Sequence, residues 1–126
     1  MEPIHNADTN TITYKPPRGC NYQDLKDYLV FSRKDNDNFV YEINKIKSPE
    51  TECEAVWEKL HNKTLFRCEI IKNCINLTKK DIESNNFSNN SEKIKLQNKL
   101  NMLNMELEVE EIIKDQAKKV FHKICR

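Results

Sequence analysis

The sequence predicts an all-α fold: a three-helix antiparallel bundle, or a long helical hairpin with a third helix laid on it, with coiled-coil character and disulfide staples. Three observations point to it. Turn formers are scarce: one glycine (Gly19) and four prolines (Pro3, Pro16, Pro17 and Pro49), with neither type after residue 49. Apolar residues recur at near-heptad spacing. Cysteines stand at both ends of the central stretch, Cys53 to Cys74.

In that central stretch, apolar or small residues fall at Cys53, Trp57, Leu60, Thr64, Ile71, Cys74 and Thr78, with Arg67 in the gap of the series. This is one helical face. Cys53 and Cys74 point to the same side but lie roughly 30 Å apart at 1.5 Å per residue. A disulfide needs Cα atoms about 4.4–6.8 Å apart, so each thiol, if bonded, joins another part of the chain.

The 126 residues fit one domain, and 37% apolar content supplies a narrow core that a covalent staple would help. The formal net charge of +1 creates no bulk field for nucleic acid or an anionic surface, so no nucleic-acid partner is expected. No run of 18 apolar residues occurs, so no membrane span is expected. The N-terminus shows neither a signal h-region nor an Arg-rich presequence, since Glu2 and Asp8 precede the first basic residue, Lys15. That favours the cytosol, and five cysteines in a core-poor chain pull the other way. The sixteen asparagines make N-x-[ST] matches cheap, and the four at Asn62, Asn76, Asn86 and Asn89 are read as chance.

Residues 1–19 are polar and without period, and are read as a disordered N-terminal arm with a polyproline-like end. The helical domain spans 20–126, with helices at about 21–46, 50–82 and 91–125. The first helix presents Tyr22, Leu25, Leu29, Ser32, Asn36, Phe39/Val40, Ile43 and Ile46. Its polar middle, Ser32 to Asn38, fits either a break or a solvated turn of a continuous helix. Ser48-Pro49-Glu50 starts the second helix, because proline suits the first helical position. Asn85–Asn90 forms a polar hinge, and Ser91 caps the third helix. There Leu96, Leu100, Leu103 and Leu107 form a stripe, which meets Glu110 and Lys114 before Ala117, Val120, Phe121 and Ile124 resume it. Phe121 is expected in the core. Val109 and Ile112, beside the interrupted stripe, either cover the first helix or form an exposed apolar strip for a partner helix.

Antiparallel packing turns the cysteines into a register problem. From the loop positions, Cys20 faces position 76, next to Cys74, and Cys53 faces position 121, one turn from Cys125. Cys68 has no counterpart. Reduced core cysteines are the alternative. A zinc site of Cys53, His122 and Cys125, with His61 nearby, lacks a C-x-x-C spacing and a fourth ligand. Glu108, Glu110 and Glu111 read as solvated surface. No catalytic residue, cofactor or metal is expected, and a thiol oxidoreductase built on Cys68 and Cys74 would lack C-x-x-C.

Two segments carry a resemblance: Arg67-Cys68-Glu69-Ile70-Ile71-Lys72-Asn73-Cys74-Ile75, and Leu107-Glu108-Val109-Glu110-Glu111-Ile112-Ile113-Lys114-Asp115 followed by Lys119-Val120-Phe121 and Cys125. The Cys53-x20-Cys74 spacing and Asp37-Asn38-Phe39-Val40-Tyr41-Glu42-Ile43-Asn44 agree with it. Over about residues 20–125 the chain resembles the family of Mix family member twenty-three, also called coiled-coil domain-containing protein fifty-eight. The resemblance implies a soluble protein of the mitochondrial intermembrane space. It also implies uptake by that compartment's oxidative cysteine relay, and a non-enzymatic role assisting protein import, with import-machinery or other proteins as partners. The family's four characteristic cysteines fall on Cys20, Cys53, Cys74 and Cys125, and Cys68 departs from its pattern. The competing expectation is a reduced cytosolic or nuclear coiled-coil subunit of a larger assembly.

Overall fold

The structure, a computed structural model, describes residues 3–6, 11–14, 16–17, 19–46, 49–84 and 90–125. Three helices form the bundle: α1 (Tyr22–Asn44), α2 (Pro49–Ser84) and α3 (Asn90–Cys125). Helix α1 runs parallel to α3, and both run antiparallel to α2. The fold is the all-α, disulfide-stapled bundle the sequence predicts.

Within the N-terminal arm, two described segments are strands where the composition implies disorder. Strands β1 (Pro3–Asn6) and β2 (Thr11–Tyr14) pair antiparallel, Ile4 opposite Thr13 and His5 opposite Ile12. The local cause is the run Thr11-Ile12-Thr13-Tyr14, β-branched and aromatic throughout, which suits a pleated strand. The hinge residues 85–89 lie outside the described residues. Helix α3 already includes Asn90, so Ser91 sits inside it and is not its cap.

Helix α1 begins at Asn21, whose side chain accepts from the Asp24 backbone N–H at 3.1 Å, a standard N-cap. It continues without a break through Ser32–Asn38. The run is solvated on one side only: Lys34, Asp37 and Asn38 are exposed, whereas Ser32 and Asn36 accept from Arg67, Arg33 reaches α3, and Asp35 meets Lys63 of α2. Helix α2 opens on Pro49, as the start signal implies.

The core is layered along the bundle axis. One apolar cluster joins Leu25, Tyr28 and Leu29 of α1 to Ile71, Cys74 and Ile75 of α2 and Leu103 of α3. A second joins Phe39 and Ile43 to Leu60 and Ala117. Between them lies a buried polar layer. At the second cluster Trp57 packs on Phe121 at 4.9 Å between ring centroids and on Phe39 at 6.2 Å. Phe121 itself is half-buried at the edge of that cluster, not enclosed as expected. The observed register is offset by under one turn from the loop-based one: Arg67 should face position 107 and instead meets Glu110. No described helix is long and apolar enough to cross a membrane.

Candidate functional site

The disulfides close the bundle at its two ends. Cys20, just before α1, bonds to Cys74 with Cα atoms 5.4 Å apart, and Cys53 bonds to Cys125 at 5.9 Å. These are the two pairs the register argument selects. Cys53 and Cys74 are buried, as their places on the α2 face require. The sulfurs of Cys53 and Cys125 are bonded to each other, so they are not the zinc ligands that spacing left open. His61 stacks on Trp57, and His122 lies edge-on to Phe121. Among the described residues, no group of three or more His, Cys, Asp or Glu side chains is placed to hold a metal. Cys68 is a free, half-buried thiol. Burial raises its pKa above the ordinary value and the Glu110 and Glu111 carboxylates raise it further, while Lys72 and Arg67 pull the other way.

The middle layer is where the sequence misleads most. Glu110, expected on solvated surface, is 1% exposed, and Arg67, the apparent gap in the α2 stripe, is 0% exposed. The Arg67 guanidinium donates to Glu110 Oε1 at 2.9 Å, to Ser32 Oγ at 3.1 Å, and to Asn36 Oδ1 and Thr64 Oγ1 at 3.2 Å. Arg33 donates to the other Glu110 oxygen at 2.6 Å and to Glu106 Oε1 at 2.8 Å. Glu106 also accepts from Lys26 and Tyr22, both at 2.9 Å. All three helices meet here. Among the described residues no buried side-chain polar atom lacks a partner. A buried charge is tolerable only under that condition.

Burial alone would raise the Glu106 carboxyl pKa, but hydrogen bonds from Arg33, Lys26 and Tyr22 outweigh it and hold the carboxyl below its ordinary value. A carboxyl that titrates lower in the folded chain than in the unfolded one stabilises the fold above the unfolded pKa. That contribution fades as pH falls through the folded value. Urea midpoints should therefore drop as pH is lowered below about 4.5, the ordinary carboxyl value. Glu106→Gln, measured over the same range, should show a shallower acid loss from a lower neutral-pH stability.

The outer face of α3 carries an apolar strip. Met102, Met105, Val109 and Ile112 follow one another at steps of three, four and three, and are 38, 61, 37 and 57% exposed. Covering α1 is therefore not the role of Ile112, which is more than half exposed. That contact is made by the next face, where Ile113, Ala117 and Val120 line a groove with Val30, Arg33 and Phe39. Val30, on the α1 side of that groove, is half-exposed. The acidic residues Glu108 and Asp115 are exposed along the opposite flank, and Lys119 lies at its C-terminal end.

No family model matches the chain, and no solved structure matches it.

The residues missed from sequence are Tyr28, Arg33 and Glu106, with Glu110 misassigned. A signal was present. Arg67 continues the heptad series Cys53, Leu60, Arg67, Cys74, and Leu103, Glu110, Ala117 repeats that spacing on α3, with Glu106 three residues after Leu103 on the same face. Charges of opposite sign at core positions of facing helices mark a polar layer.

Proposed function

We propose that this chain is a non-enzymatic helical factor of the mitochondrial intermembrane space that assists protein import by holding partner proteins. One observation carries the reading: the four cysteines that the resemblance implies are characteristic are the four that pair, and the fifth stands apart. Two disulfides closing a small bundle suit an oxidising compartment. The chain's own uptake would then run through the oxidative cysteine relay. Fractionation of cells expressing the full chain tests this. Non-reducing peptide mapping of the mitochondrial protein should return Cys20–Cys74 and Cys53–Cys125, with Cys68 open to alkylation. Five alkylatable thiols, or a matrix location, would remove the basis for it.

The partner surface in this reading is the α3 strip, and its occupant is an amphipathic helix of a partner protein with basic residues along one edge. Heptad-spaced Met102, Met105, Val109 and Ile112 fit an apolar helical face. The flank holding Glu108 and Asp115 favours cations opposite it. A second copy laid antiparallel across the middle of the strip would instead bring Glu108 against Glu108. Ile112→Asp should leave the melting temperature nearly unchanged, because the side chain is already in water, and should abolish crosslinking to a Lys-flanked amphipathic helical peptide. Unaltered capture by that variant would remove the strip from the function. Concentration-dependent dimerisation lost in the same variant would make the occupant a second copy.

The heptad-spaced strip is also what favours the competing reading, a reduced cytosolic or nuclear coiled-coil subunit of a larger assembly. The redox state of the purified native protein separates the two.

A further inference from the structure

Arg67 poses a physical question that packing alone does not answer. Replacing a buried ion pair by apolar residues of similar volume is often neutral or stabilising, whereas a polar group at one core position of a helical bundle specifies register. This bundle carries such a device in addition to its short α1–α2 connection, which already limits the register. Cys53, Leu60, Arg67 and Cys74 lie at successive seven-residue steps on α2. A one-heptad slip of α2 against its neighbours would replace one member of the series by the next and keep a helical face directed inward. The slip would also put Thr64 in place of Ile71 and Cys68 in place of Ile75 in the first cluster, so loss of apolar burial opposes it, and burial of the displaced Arg67 charge adds to that cost.

The slip has a covalent consequence. It would set Arg67 at the level now held by Cys74 and bring Cys68 to the level of Ile75, beside Cys20. Cys20 would then find Cys68 and not Cys74. In the native register the Arg67 guanidinium has Glu110, Ser32, Asn36 and Thr64 as acceptors, and all of its ligands outside α2 come from α1 and α3. In the slipped register it would enter the apolar cluster of Leu25, Tyr28, Leu29 and Leu103 without them. The same Glu110 carboxylate also raises the pKa of the Cys68 thiol, which lowers the thiolate available for exchange.

We propose that the buried Arg67–Glu110 layer sets the register in which the thiols are oxidised, so that Cys20 and Cys53 pair with Cys74 and Cys125 and Cys68 is left out. Arg67 and Glu110 are positioning residues and take no part in the electron transfer. Each bond forms by thiol–disulfide exchange: two protein thiols and one disulfide oxidant give one protein disulfide and two oxidant thiols. Two oxidant molecules are consumed per chain. The pairing rule holds wherever the chain is oxidised, so it stands or falls independently of the proposed location.

The test is refolding of the full chain, reduced and denatured, in a glutathione disulfide/glutathione buffer, with connectivity read by non-reducing peptide mapping. Wild type should return the native pairs with Cys68 free. In Arg67→Leu/Glu110→Leu the native-pair yield should fall several-fold, with Cys68 appearing in disulfides to Cys20. Arg67→Lys keeps a buried cation but loses the planar fork, and should retain native pairing. If the layer acted only through packing and hydrogen bonds, Arg67→Lys would scramble as much as the leucine pair. Native pairing at wild-type yield in the leucine pair would overturn the proposal. Should the leucine pair show no cooperative melting, Arg67→Met, which leaves Glu110 to Arg33, carries the same comparison: scrambled pairing supports the proposal and native pairing overturns it.

Discussion

Glu110→Ala is expected to destabilise the bundle by about 3–5 kcal/mol, the range for removing one partner of a buried ion pair. Both carboxylate oxygens are in use: one accepts from Arg67 at 2.9 Å and the other from Arg33 at 2.6 Å. After truncation, Arg33 still has Glu106 and is near enough to water to find other acceptors. Arg67 does not: its side chain is 0% exposed, and its remaining side-chain acceptors are the neutral oxygens of Ser32, Asn36 and Thr64. A guanidinium with no anion in a low-dielectric interior is the dominant cost. Equilibrium urea unfolding of oxidised protein measures it. A loss below about 1 kcal/mol, the net worth of an ordinary hydrogen bond, would mean that water or a shifted helix reaches Arg67. The removal of Arg67 should be milder, since Glu110 keeps Arg33.

Cys53→Ser/Cys125→Ser should cost about 4 kcal/mol by the chain-entropy estimate for so long a loop. The bond spans 72 residues and ties the start of α2 to the end of α3. Its second consequence is local. The apolar cluster there is small: Phe39, Ile43, Leu60 and Ala117 are enclosed, with Trp57 and Phe121 only half-buried around them. Without the bond, the last turns of α3 are held by the partly buried Val120, Phe121 and Ile124 and by the enclosed Ala117. Hydrogen exchange should therefore accelerate most over residues 117–125, while amides near Arg67 stay protected. Urea midpoints in a Cys68→Ser background, which prevents thiol exchange, give the total. Equal protection along α3 in the variant would show that the apolar contacts alone hold this end. The Cys20–Cys74 bond closes a loop of 54 residues and is expected to be worth nearly as much, but the two loops overlap in sequence and their effects should not add.

Both results concern residues that a hydropathy reading treats poorly. The face of α2 was legible because its apolar residues repeat at 3.5-residue spacing, and Leu60, Ile71 and Cys74 are buried as that spacing requires. The disulfide pairs were legible for a geometric reason: two loops and antiparallel packing leave few cysteines at the same level. Glu106 and Glu110 were not. On α3 Glu110 interrupts the leucine stripe and Glu106 lies beside it, and an isolated helix gives no reason to bury a carboxylate. The polar run Ser32 to Asn38 was equally ambiguous, since only the facing Arg67 gives the buried Ser32 and the half-buried Asn36 a partner across the bundle.

Sequence by itself determined three long helices, their antiparallel order, the apolar faces that drive them together, and which thiols come within reach. These follow from local propensity, periodicity and chain length, all of which act along one strand of chain. Tertiary structure decided the polar layer, the continuity of α1, and the exposure of Met105 and Ile112. Those depend on what stands opposite each side chain. A buried charge is stable only when donors and acceptors from other helices arrive together, and an apolar side chain stays in water when the neighbouring helix has packed against the next face.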